Sequence, residues 1–472
     1  MTKLNTLLLR LPLNLDNRFD RTNVLQLYGL AMVSAAMKAA GRQVTLYDAY
    51  AYNLTPRKIL QYVVQQNPDV IGLTLYTVGL ARTLDFIADM KSLLPKVKIV
   101  VGGPHATAES RTLLANNKDI DIAVIGEGEE TFVELVKVLA EGDDLKNVDG
   151  IAYKDTSGEV IVNKDRSPIE NLDTLPFADW DSLPMARYWS GHTNKKNYVN
   201  LVANRGCAYS CIFCGSKITL GRKVRQRSID SIIAELKFLH KQHHVRQIMF
   251  SDSTFNLDDK WLNDFCHRLL SESLSFKWEC NIRGNLLRRD TLRLMKKAGC
   301  FHLFMGVESA DNDMLKRMNK GETIEQLQKA IEILDEEKMR ASYGFIMGLP
   351  GESEASLRKT IDFVKGLNKR GIYSCSLATP YPGTPFYRMA LDEGWQCPDW
   401  HTFSQENVSY VPQGLTKKKL ENFKDQFGKA TNSAISLKPS FILNQLLQVQ
   451  SPVNLWIKIG YGYRLFMKRL LA

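Results

Sequence analysis

Three cysteines in one short segment restrict the chemistry of this chain more than any other feature. Cys207, Cys211 and Cys214 lie in the sequence Arg205-Gly-Cys-Ala-Tyr-Ser-Cys-Ile-Phe-Cys-Gly215, directly after an apolar stretch that is predicted to be a strand. Three thiolates this close together can ligate three irons of a cubane iron–sulfur cluster, for which most proteins supply four cysteines. The remaining iron is then free to bind a small molecule.

A structural zinc site is the alternative interpretation of the same cysteines. It would take His240, His243 or His244 as the fourth ligand. Zinc sites usually pair their ligands in two short segments, and the sequence shows a single segment of this kind. The spacing therefore favours an iron–sulfur cluster, while a non-catalytic, zinc-stabilised binding protein stays open as an alternative.

Length and cysteine usage indicate an intracellular globular protein. The chain has 472 residues, of which 44% are hydrophobic and 24% charged, so it can bury the cores of several domains. The other cysteines are scattered singly, which does not resemble a disulfide framework and predicts a reduced cytoplasm: Cys266, Cys280, Cys300, Cys375 and Cys397. The apolar run at the N-terminus is too short for a signal peptide or a membrane span.

The net charge of +11 is concentrated near the C-terminus. Because the first 410 residues are nearly balanced in charge, a general nucleic-acid-binding surface is not indicated. The segment Leu455–Ala472 mixes large apolar residues with Lys458, Arg464, Lys468 and Arg469. It could lie along an anionic membrane surface, or form a helical lid over the open edge of the preceding domain.

Residues 1–141 predict a doubly wound parallel α/β domain. Continuously apolar strands alternate with amphipathic helical stretches, which indicates a sheet covered on both faces. The predicted strands are Asn5–Leu11, Gln43–Asp48, Asp69–Tyr76, Val97–Gly102 and Asp121–Ile125. Ligands bind such sheets at the carboxyl ends of the strands, where glycines allow a flat ligand to approach the backbone. Those ends carry Thr74, Gly102, Gly103, Pro104, His105, Gly126 and Glu127.

Residues 142–196 interrupt this alternation and are predicted to be a linker. Ile151–Tyr153 and Val160–Asn163 flank a turn sequence and predict a β-hairpin within it. Several prolines follow among acidic and aromatic residues. We expect this segment to join two domains and not to form a site.

Residues 197–394 predict a partial barrel of six βα units. The strands are expected at Tyr198–Ala203, Gln247–Ser251, Phe276–Asn281, Phe301–Gly306, Ala341–Met347 and Tyr373–Ala378. The site of such a barrel lies at the carboxyl ends of its strands, and the cysteines follow the first strand. Polar residues and glycines follow the next four strands: Asp252, Arg283, Glu308, Ser309, Lys320, Gly344, Gly348 and Gly351. Residues 395–472 are predicted to be basic and mainly helical.

The CxxxCxxC segment and the residues after the barrel strands resemble those of the radical S-adenosylmethionine (SAM) superfamily. This resemblance implies a [4Fe–4S] cluster on the three cysteines. It also implies that Asp252 binds the methionine ammonium group, although the usual Gly-Gly-Glu is absent here, and that Arg283 and Lys320 bind the carboxylate. Glu308 and Ser309 would contact the ribose, and the segment containing Gly344, Gly348 and Gly351 would bind the adenine.

The first 140 residues resemble the Rossmann-like cobalamin-binding domain that precedes many barrels of this superfamily. The Asp-x-His-x-x-Gly motif, which supplies a lower axial histidine in other cobalamin proteins, is missing. A bound cobalamin is therefore expected to lack a histidine ligand, with His105 beside the corrin and not beneath the cobalt. The same fold without cobalamin remains an alternative.

The resemblance implies reductive cleavage of SAM to a 5′-deoxyadenosyl radical, which then removes hydrogen from an unactivated carbon. Cobalamin-dependent methylation of a small-molecule or lipid substrate is the favoured outcome. A dehydration, cyclisation or rearrangement with cobalamin idle or absent is the alternative. Flavodoxin or ferredoxin is the expected electron donor. Cys375 and Cys397 are candidate hydrogen donors to a substrate radical, although a thiol that merely packs is the commoner case.

Overall fold

The computed structural model describes residues 4–12, 24–190, 197–272, 274–367, 371–397, 400–401, 403–431 and the single positions 443, 455 and 459. Its main architecture consists of two α/β units, each built on a predominantly or wholly parallel sheet. The two units follow one another along the chain.

The first unit is a seven-stranded sheet with the strand order β2-β1-β3-β4-β5-β6-β7. Strands β1 to β5 are parallel, as the apolar pattern predicts. Their bounds, with those of the helices between and after them, are Thr6–Arg10 (β1), Tyr28–Ala39 (α1), Val44–Asp48 (β2), Pro56–Gln66 (α2), Val70–Thr74 (β3), Leu80–Leu93 (α3), Lys98–Gly102 (β4), Pro104–Asn116 (α4), Ile122–Val124 (β5) and Glu129–Glu141 (α5).

Both faces of this sheet are covered by helices. Leu8 of β1 belongs to a core shared with α1 and α5, whereas its neighbours Leu7 and Leu9 belong to a core shared with α2, α3 and α4. Successive side chains of a strand point to opposite faces, so a strand buried on both faces has to be apolar at every position. The doubly wound α/β prediction is confirmed.

The predicted hairpin extends the first sheet. Ile151–Lys154 (β6) and Val160–Val162 (β7) are antiparallel to each other, and β6 is antiparallel to β5. Residues 142–196 therefore do not act only as a linker, because their first part continues the N-terminal sheet past residue 141. Hydrogen bonding to an existing sheet satisfies the backbone of two strands that would be marginal alone.

The second unit is a six-stranded, wholly parallel sheet with the order β15-β14-β13-β12-β11-β8, so β8 and β15 are its edge strands and the barrel is open between them. This confirms the predicted partial barrel. Its strands are Tyr198–Leu201 (β8), Gln247–Phe250 (β11), Lys277–Ile282 (β12), Cys300–Glu308 (β13), Arg340–Met347 (β14) and Ile372–Leu377 (β15). A small antiparallel ribbon, Asn204–Arg205 (β9) and Arg225–Gln226 (β10), flanks the cysteine segment.

The helices of the second unit cover the outside of the sheet and extend beyond it. Their bounds are Ser216–Leu220 (α6), Ile229–His243 (α7), Asp259–Ser271 (α8), Arg289–Lys297 (α9), Asn312–Arg317 (α10), Ile324–Glu336 (α11), Glu354–Gly366 (α12), Pro385–Asp392 (α13) and Lys417–Ala430 (α14). Phe427 of α14 packs on Phe345 of β14, with ring centroids 5.2 Å apart. Helix α14 therefore covers the outer face of the barrel near its open edge.

The edge strand β8 is covered by residues that precede the first helix. Gln26 donates from Nε2 to the carbonyl of Tyr198 (2.7 Å), and its Oε1 accepts from the backbone N–H of Asn200 (3.1 Å). Val24 pairs with Trp189 through both backbone hydrogen bonds. One side chain thus supplies the hydrogen bonds that a neighbouring strand would otherwise make.

The basic C-terminal region is described only in part. Helix α14 confirms one helix there, but the predicted amphipathic segment Leu455–Ala472 lies outside the described residues except at positions 455 and 459. None of the helices among the described residues has the length and apolar character needed to cross a bilayer.

Candidate active site between two domains

The cysteines lie at the mouth of the barrel, on a cavity of about 370 Å³ that we call the cysteine cavity. Cys207, Cys211 and Cys214 are half-buried and all three line it. The carboxyl ends of the next strands contribute Asp252 after β11, Arg283 after β12 and Glu308 at the end of β13, and Lys320 completes this set. The structure thus brings together the three predicted metal ligands and four of the predicted SAM contacts.

The loop that carries the cysteines, residues 205–215, is fastened to the barrel by backbone contacts. The N–H of Ile212 donates to the carbonyl of Met318 (3.0 Å), and the Ile212 carbonyl accepts from the N–H of Phe386 (3.1 Å). Asn319 Nδ2 also donates to the Ser210 carbonyl (3.1 Å). The three thiols are consequently held in place by the same segment that carries Lys320.

Gly206 is required for the entry into this loop. Its φ is +92°, and a Cβ at this position would lie 2.1 Å from the carbonyl oxygen of Lys223. Only glycine avoids both the strained dihedral and this overlap with backbone. The residue before Cys207 is therefore determined by backbone geometry.

The residues at the cysteine loop fit a cluster better than the zinc alternative. His240 lies at the far end of α7, where its Nδ1 is 2.6 Å from Nη1 of Arg246 and its ring contacts the edge of Phe276, next to the beginning of β12. Since β12 begins at the opposite end of the barrel from the mouth, His240 and the adjacent His243 and His244 are remote from the thiols.

Asp252 is a buried carboxylate aimed at the cysteine cavity. Its Oδ1 accepts hydrogen bonds from the backbone N–H groups of Ala203 (3.0 Å) and Asn204. Its Oδ2 is buried and has no hydrogen-bond partner among the described residues. Burial raises the pKa of Asp252 to about 7. A cation supplied by a ligand would compensate for this desolvation.

Arg283 and Lys320 are already engaged with acidic residues. Lys320 Nζ lies 3.2 Å from Glu308 and 3.5 Å from Glu322, and Arg283 lies 3.0 Å from Glu322. The Arg283 guanidinium also stacks 3.4 Å above the ring of Tyr209 in the cysteine loop. Burial lowers the pKa of Lys320, but Glu308 and Glu322 outweigh it, so the net shift is upward. Lys320 is thus charged, and both side chains are held at the cavity wall.

Sequence reasoning missed Glu322 and Tyr209, although both complete this arrangement. Glu322 lies two residues after Lys320, and Tyr209 lies between the first two cysteines. Their proximity to predicted site residues was the available signal. No motif marked either residue.

Four predicted SAM contacts do not line the cysteine cavity. The Ser309 hydroxyl lies 3.3 Å from the Thr360 hydroxyl on α12 and accepts from the Asp311 N–H, so it stabilises a turn. A Cβ at Gly344 would lie 2.9 Å from the Phe304 ring, so Gly344 sits behind that cavity residue. Gly348 and Gly351 turn the chain after β14, at φ +93° and +82°. Contacts of these four residues with SAM therefore stay predictions.

A second cavity of about 390 Å³, the interdomain cavity, lies at the carboxyl ends of the first sheet. Six of the seven predicted cobalamin contacts line it: Thr74, Gly102, Gly103, Pro104, Gly126 and Glu127. Its deep end is apolar and includes Leu8, Val33 and Phe132, whereas its opposite wall comes from the barrel through Asn200, Val202, Arg205, Thr219 and Leu220. The cavity is therefore enclosed by both domains.

Glycines shape the strand-end side of this cavity. Gly103 has φ +89°, and a Cβ there would lie 2.6 Å from Cγ2 of Thr74. At Gly126, by contrast, a Cβ would meet no atom within 4 Å. Here the absence of a side chain keeps open space at the strand end. A large planar ligand could therefore approach the backbone closely, which fits a corrin ring.

His105 is the exception among the predicted cobalamin contacts. Its Nδ1 lies 3.1 Å from the Thr77 hydroxyl, and its ring makes an edge contact with Trp400 at a centroid distance of 5.5 Å. Burial lowers the pKa of His105 to about 4. The side chain is therefore a neutral, buried imidazole that does not line the interdomain cavity, and its place beside the corrin stays a prediction.

A buried ion network joins the two domains at the interdomain cavity. Arg205, immediately before the cysteine segment, lies 2.8 Å from Glu127 and 2.5 Å from Glu129. Arg225 lies 2.7 Å from Glu127. Burial raises the pKa of Glu127, but its hydrogen bonds to the two arginines outweigh burial and lower the pKa overall. Sequence reasoning assigned Glu127 to a ligand and missed that it binds the cysteine loop to the first sheet.

Helix α6 forms a wall shared by the two cavities. Its first residues, Ser216 and Lys217, line the cysteine cavity, while Thr219 and Leu220 line the interdomain cavity. A helix of this length is about one and a half turns, so the cavities are adjacent. Groups bound in them would be separated by roughly the width of this short segment.

The two candidate hydrogen-donor thiols lie outside both cavities. Cys375 is in register with Phe345, so both point to the face covered by α14, away from the barrel interior. Burial raises the pKa of Cys375 to about 12, and burial together with Glu109 raises that of Cys397 to about 11. Their placement argues against the proposed role.

Comparison with known proteins agrees with this two-part arrangement. Residues 201–364 match the model of the radical SAM superfamily, and residues 20–136 match that of the B12 binding domain. An uncharacterized methyltransferase of Pyrococcus horikoshii is 32% identical over 363 residues, which cover 77% of this chain and 78% of the relative. The anaerobic magnesium-protoporphyrin IX monomethyl ester cyclase of Rubrivivax gelatinosus is 30% identical over 370 residues, covering 77% of this chain and 66% of that protein.

Solved structures share the fold at low sequence identity. The radical SAM methyltransferase TsrM of Kitasatospora setae, with cobalamin and a [4Fe–4S] cluster bound, has a TM-score of 0.67 at 17% identity and covers 83% of this chain and 75% of its own. The cobalamin-dependent radical enzyme OxsB has a TM-score of 0.73 at 18% identity, covering 99% and 80%.

The cofactors that accompany these two domains are a [4Fe–4S] cluster, SAM and cobalamin. The cysteine cavity has the donor set for the first two, and the interdomain cavity has the open, glycine-lined strand ends for the third. The chain is an enzyme that belongs to the radical SAM superfamily, in the group that carries a B12-binding domain ahead of the barrel.

Proposed function

We propose that this enzyme transfers a methyl group to an unactivated carbon of a small-molecule or lipid substrate in a cobalamin-dependent reaction. The adjacency of the two cavities across α6 is the observation that carries the proposal. A methyl transfer of this kind needs a radical generator and a methyl carrier close to the same carbon. The shared wall provides that proximity.

In the cysteine cavity, Cys207, Cys211 and Cys214 are the proposed ligands of the cluster, which supplies the electron that cleaves SAM. Asp252 is the proposed partner of the methionine ammonium group, because its Oδ2 has no other partner among the described residues. Lys320, which is charged and buried at the wall, is a proposed partner of the methionine carboxylate. These residues bind and orient; they do not themselves break a bond.

Arg283 has a second role in this proposal. Its stacking on Tyr209 and its ion pair with Glu322 hold the cysteine loop against the segment that carries Lys320. We therefore place Arg283 at the carboxylate end of SAM, where it contributes positive charge while it positions the loop. Glu308, at φ +68° beside Lys320, is the proposed ribose contact.

In the interdomain cavity, Thr74, Gly102, Gly103, Pro104 and Gly126 are the proposed cobalamin contacts, and cobalamin supplies the methyl group when it is bound. Glu127 lines the same cavity but already forms ion pairs with Arg205 and Arg225. We therefore assign Glu127 to fixing the distance between the domains and only secondarily to ligand contact.

A cyclisation is the second candidate function. It is favoured by the 30% identity to the anaerobic cyclase of Rubrivivax gelatinosus, which exceeds the identity to several curated methyltransferases. A cyclase would consume SAM only as a source of the 5′-deoxyadenosyl radical. The fate of the SAM methyl group therefore separates the two candidates.

The experiment uses the anaerobically reconstituted full chain with hydroxocobalamin, a flavodoxin or ferredoxin reducing system and SAM deuterated in its methyl group. Small-molecule and lipid extracts of the cells that make the protein serve as substrate pools. The proposal predicts a product that carries the deuterated methyl group, with both S-adenosylhomocysteine and 5′-deoxyadenosine formed. Asp252→Asn is the matched control, since it should retain the cluster but bind SAM more weakly. Formation of 5′-deoxyadenosine and an unlabelled product without S-adenosylhomocysteine would favour cyclisation.

A further inference from the structure

Asn200 of β8 places a polar side chain on the barrel wall of the interdomain cavity. Its neighbours in the strand, Val199 and Leu201, point to the outer core, so Asn200 points to the opposite, inner face. The residue is only 7% exposed. It faces the strand ends of the first sheet across the cavity.

The side-chain oxygen of Asn200 lacks a protein partner among the described residues. This atom, Oδ1, is buried and accepts no hydrogen bond from them. Gln26 binds the backbone N–H of Asn200 and the carbonyl of Tyr198, but not the Asn200 side chain. A buried polar group left unsatisfied costs about 1–3 kcal/mol, so an apolar residue would serve the fold better at this position. A ligand that pairs with the amide would explain its presence.

The surroundings indicate the kind of group that would pair with it. The adjacent wall residue is Val202, and the charged residues of the same cavity, Arg205, Glu127 and Glu129, already satisfy one another. An ionic ligand group would therefore find no unmatched opposite charge in this set. A carboxamide offers one acceptor and two donors, which match another neutral amide. The edge of a corrin ring carries several primary amides.

We propose that Asn200 binds a side-chain amide on the corrin ring of cobalamin, from the barrel side of the interdomain cavity. This inference rests on the cobalamin site of the proposed function and adds a contact from the catalytic domain to it. A barrel residue would then contact and orient the cofactor directly. A substrate amide or hydroxyl is the other source of a matching neutral group.

The test is a binding titration of the reconstituted full chain, followed by absorption spectroscopy. Two probes are used: hydroxocobalamin, and cobinamide, which keeps the ring amides but lacks the nucleotide tail. Loss of one buried hydrogen bond predicts that Asn200→Leu binds both probes about tenfold more weakly. Asn200→Ala should show the same direction and serves as the second variant. Asn263→Leu, on α8 and outside both cavities, is the matched control and should bind both probes like the parent.

The thermal midpoint without cobalamin separates a ligand contact from a structural role. Because Leu removes an unsatisfied polar group, Asn200→Leu should unfold at the same or a higher temperature than the parent. Cobalamin and cobinamide affinities within twofold of the parent would overturn the proposal and leave the substrate as the partner. Weaker binding of hydroxocobalamin with unchanged binding of cobinamide would also overturn the proposal, since Asn200 would then contact the nucleotide tail. If the parent itself binds neither probe, the cobalamin site of the proposed function fails instead.

Discussion

Asp252 combines deep burial with an oxygen that has no partner among the described residues, and both properties are measurable. Its carboxyl has a pKa raised from 3.8 to about 7 by burial, so the folded protein favours the neutral acid. Because the pKa of this carboxyl is raised in the folded state, ionising it costs free energy in the folded protein. The free energy of unfolding of the cofactor-free protein should therefore fall progressively as pH rises from about 4 to about 7, because Asp252 becomes ionised on unfolding.

Asp252→Asn removes this cost. We expect the difference in free energy of unfolding between variant and parent to grow by about 2–3 kcal/mol in favour of the variant from about pH 5 to about pH 8. Chemical denaturation of the cofactor-free proteins at the two pH values measures it. A difference between variant and parent that does not change with pH would contradict the buried, neutral carboxyl. The same variant should bind SAM more weakly, because an amide cannot neutralise an ammonium group.

The cysteine ligands are tested one at a time. Cys207→Ala, Cys211→Ala and Cys214→Ala should each prevent assembly of a stable cluster, because three thiolates are the proposed protein ligands. Iron and sulfide analysis after anaerobic reconstitution measures the loss. Cys375→Ala is the control and should retain parental iron, since Cys375 lies under α14 and away from the mouth. Equal iron in all four variants would rule out the assigned ligands.

Sequence patterns are sufficient to predict the bounds of some secondary-structure elements, but not which strands pair with one another. The strand predicted at Val97–Gly102 is observed at Lys98–Gly102, because a continuous apolar run buried on both faces has few alternatives. The hairpin was also predicted, but not its attachment to β5, since strand pairing across an edge depends on tertiary contacts. Periodicity specifies an element, whereas its neighbours are determined by the whole fold.

Sequence patterns also predict where site residues lie along the chain better than they predict which residues their side chains contact. Cys207 and Asp252 could be assigned because they directly follow strands whose ends meet at one edge. His105 also follows a strand, yet its side chain turns to Thr77 and Trp400, and no local pattern predicts a rotamer fixed by a residue far away in sequence. Glu127 lines the interdomain cavity, but its pairing with Arg205 and Arg225 was not predicted, because these partners come from the other domain.

The ion network around Arg205 gives a prediction at the scale of elements. Arg205→Ala leaves Glu127 and Glu129 buried without this partner, which should lower the free energy of unfolding by about 3–5 kcal/mol. Arg166→Ala is the control, because the pair of Arg166 with Glu134 is more exposed, at 22% and 39%, and should cost about 1 kcal/mol or less. Chemical denaturation measures both. Equal costs for the two variants would show that burial of the network has no special effect.

At the scale of the whole molecule, the two domains share one core and enclose one cavity. The Trp180 indole donates to Glu235 of α7 (2.8 Å), and residues of α1, α5 and the barrel helices belong to the same apolar cluster. Because the interdomain cavity has walls from both domains, a ligand there should stabilise them as a unit. Hydroxocobalamin at about 100 times its dissociation constant should add about 2.7 kcal/mol.

Thermal unfolding followed by calorimetry tests this expectation. Cobalamin should raise the midpoint of a single transition that includes both domains. Two transitions, of which only one shifts, would indicate that the cofactor contacts one domain alone. That result would contradict a cavity enclosed by the barrel and the first sheet together.

We expect one chain to hold a cluster at the barrel mouth and cobalamin at the adjacent strand ends. The most direct measurement is an anaerobic absorption spectrum of the reconstituted protein, combined with metal analysis of the same sample. The spectrum should show the overlapping bands of an iron–sulfur cluster and a corrin, with about four irons and one cobalt per chain. Protein that holds zinc without iron, or that takes up the cluster but no cobalamin, would contradict this expectation.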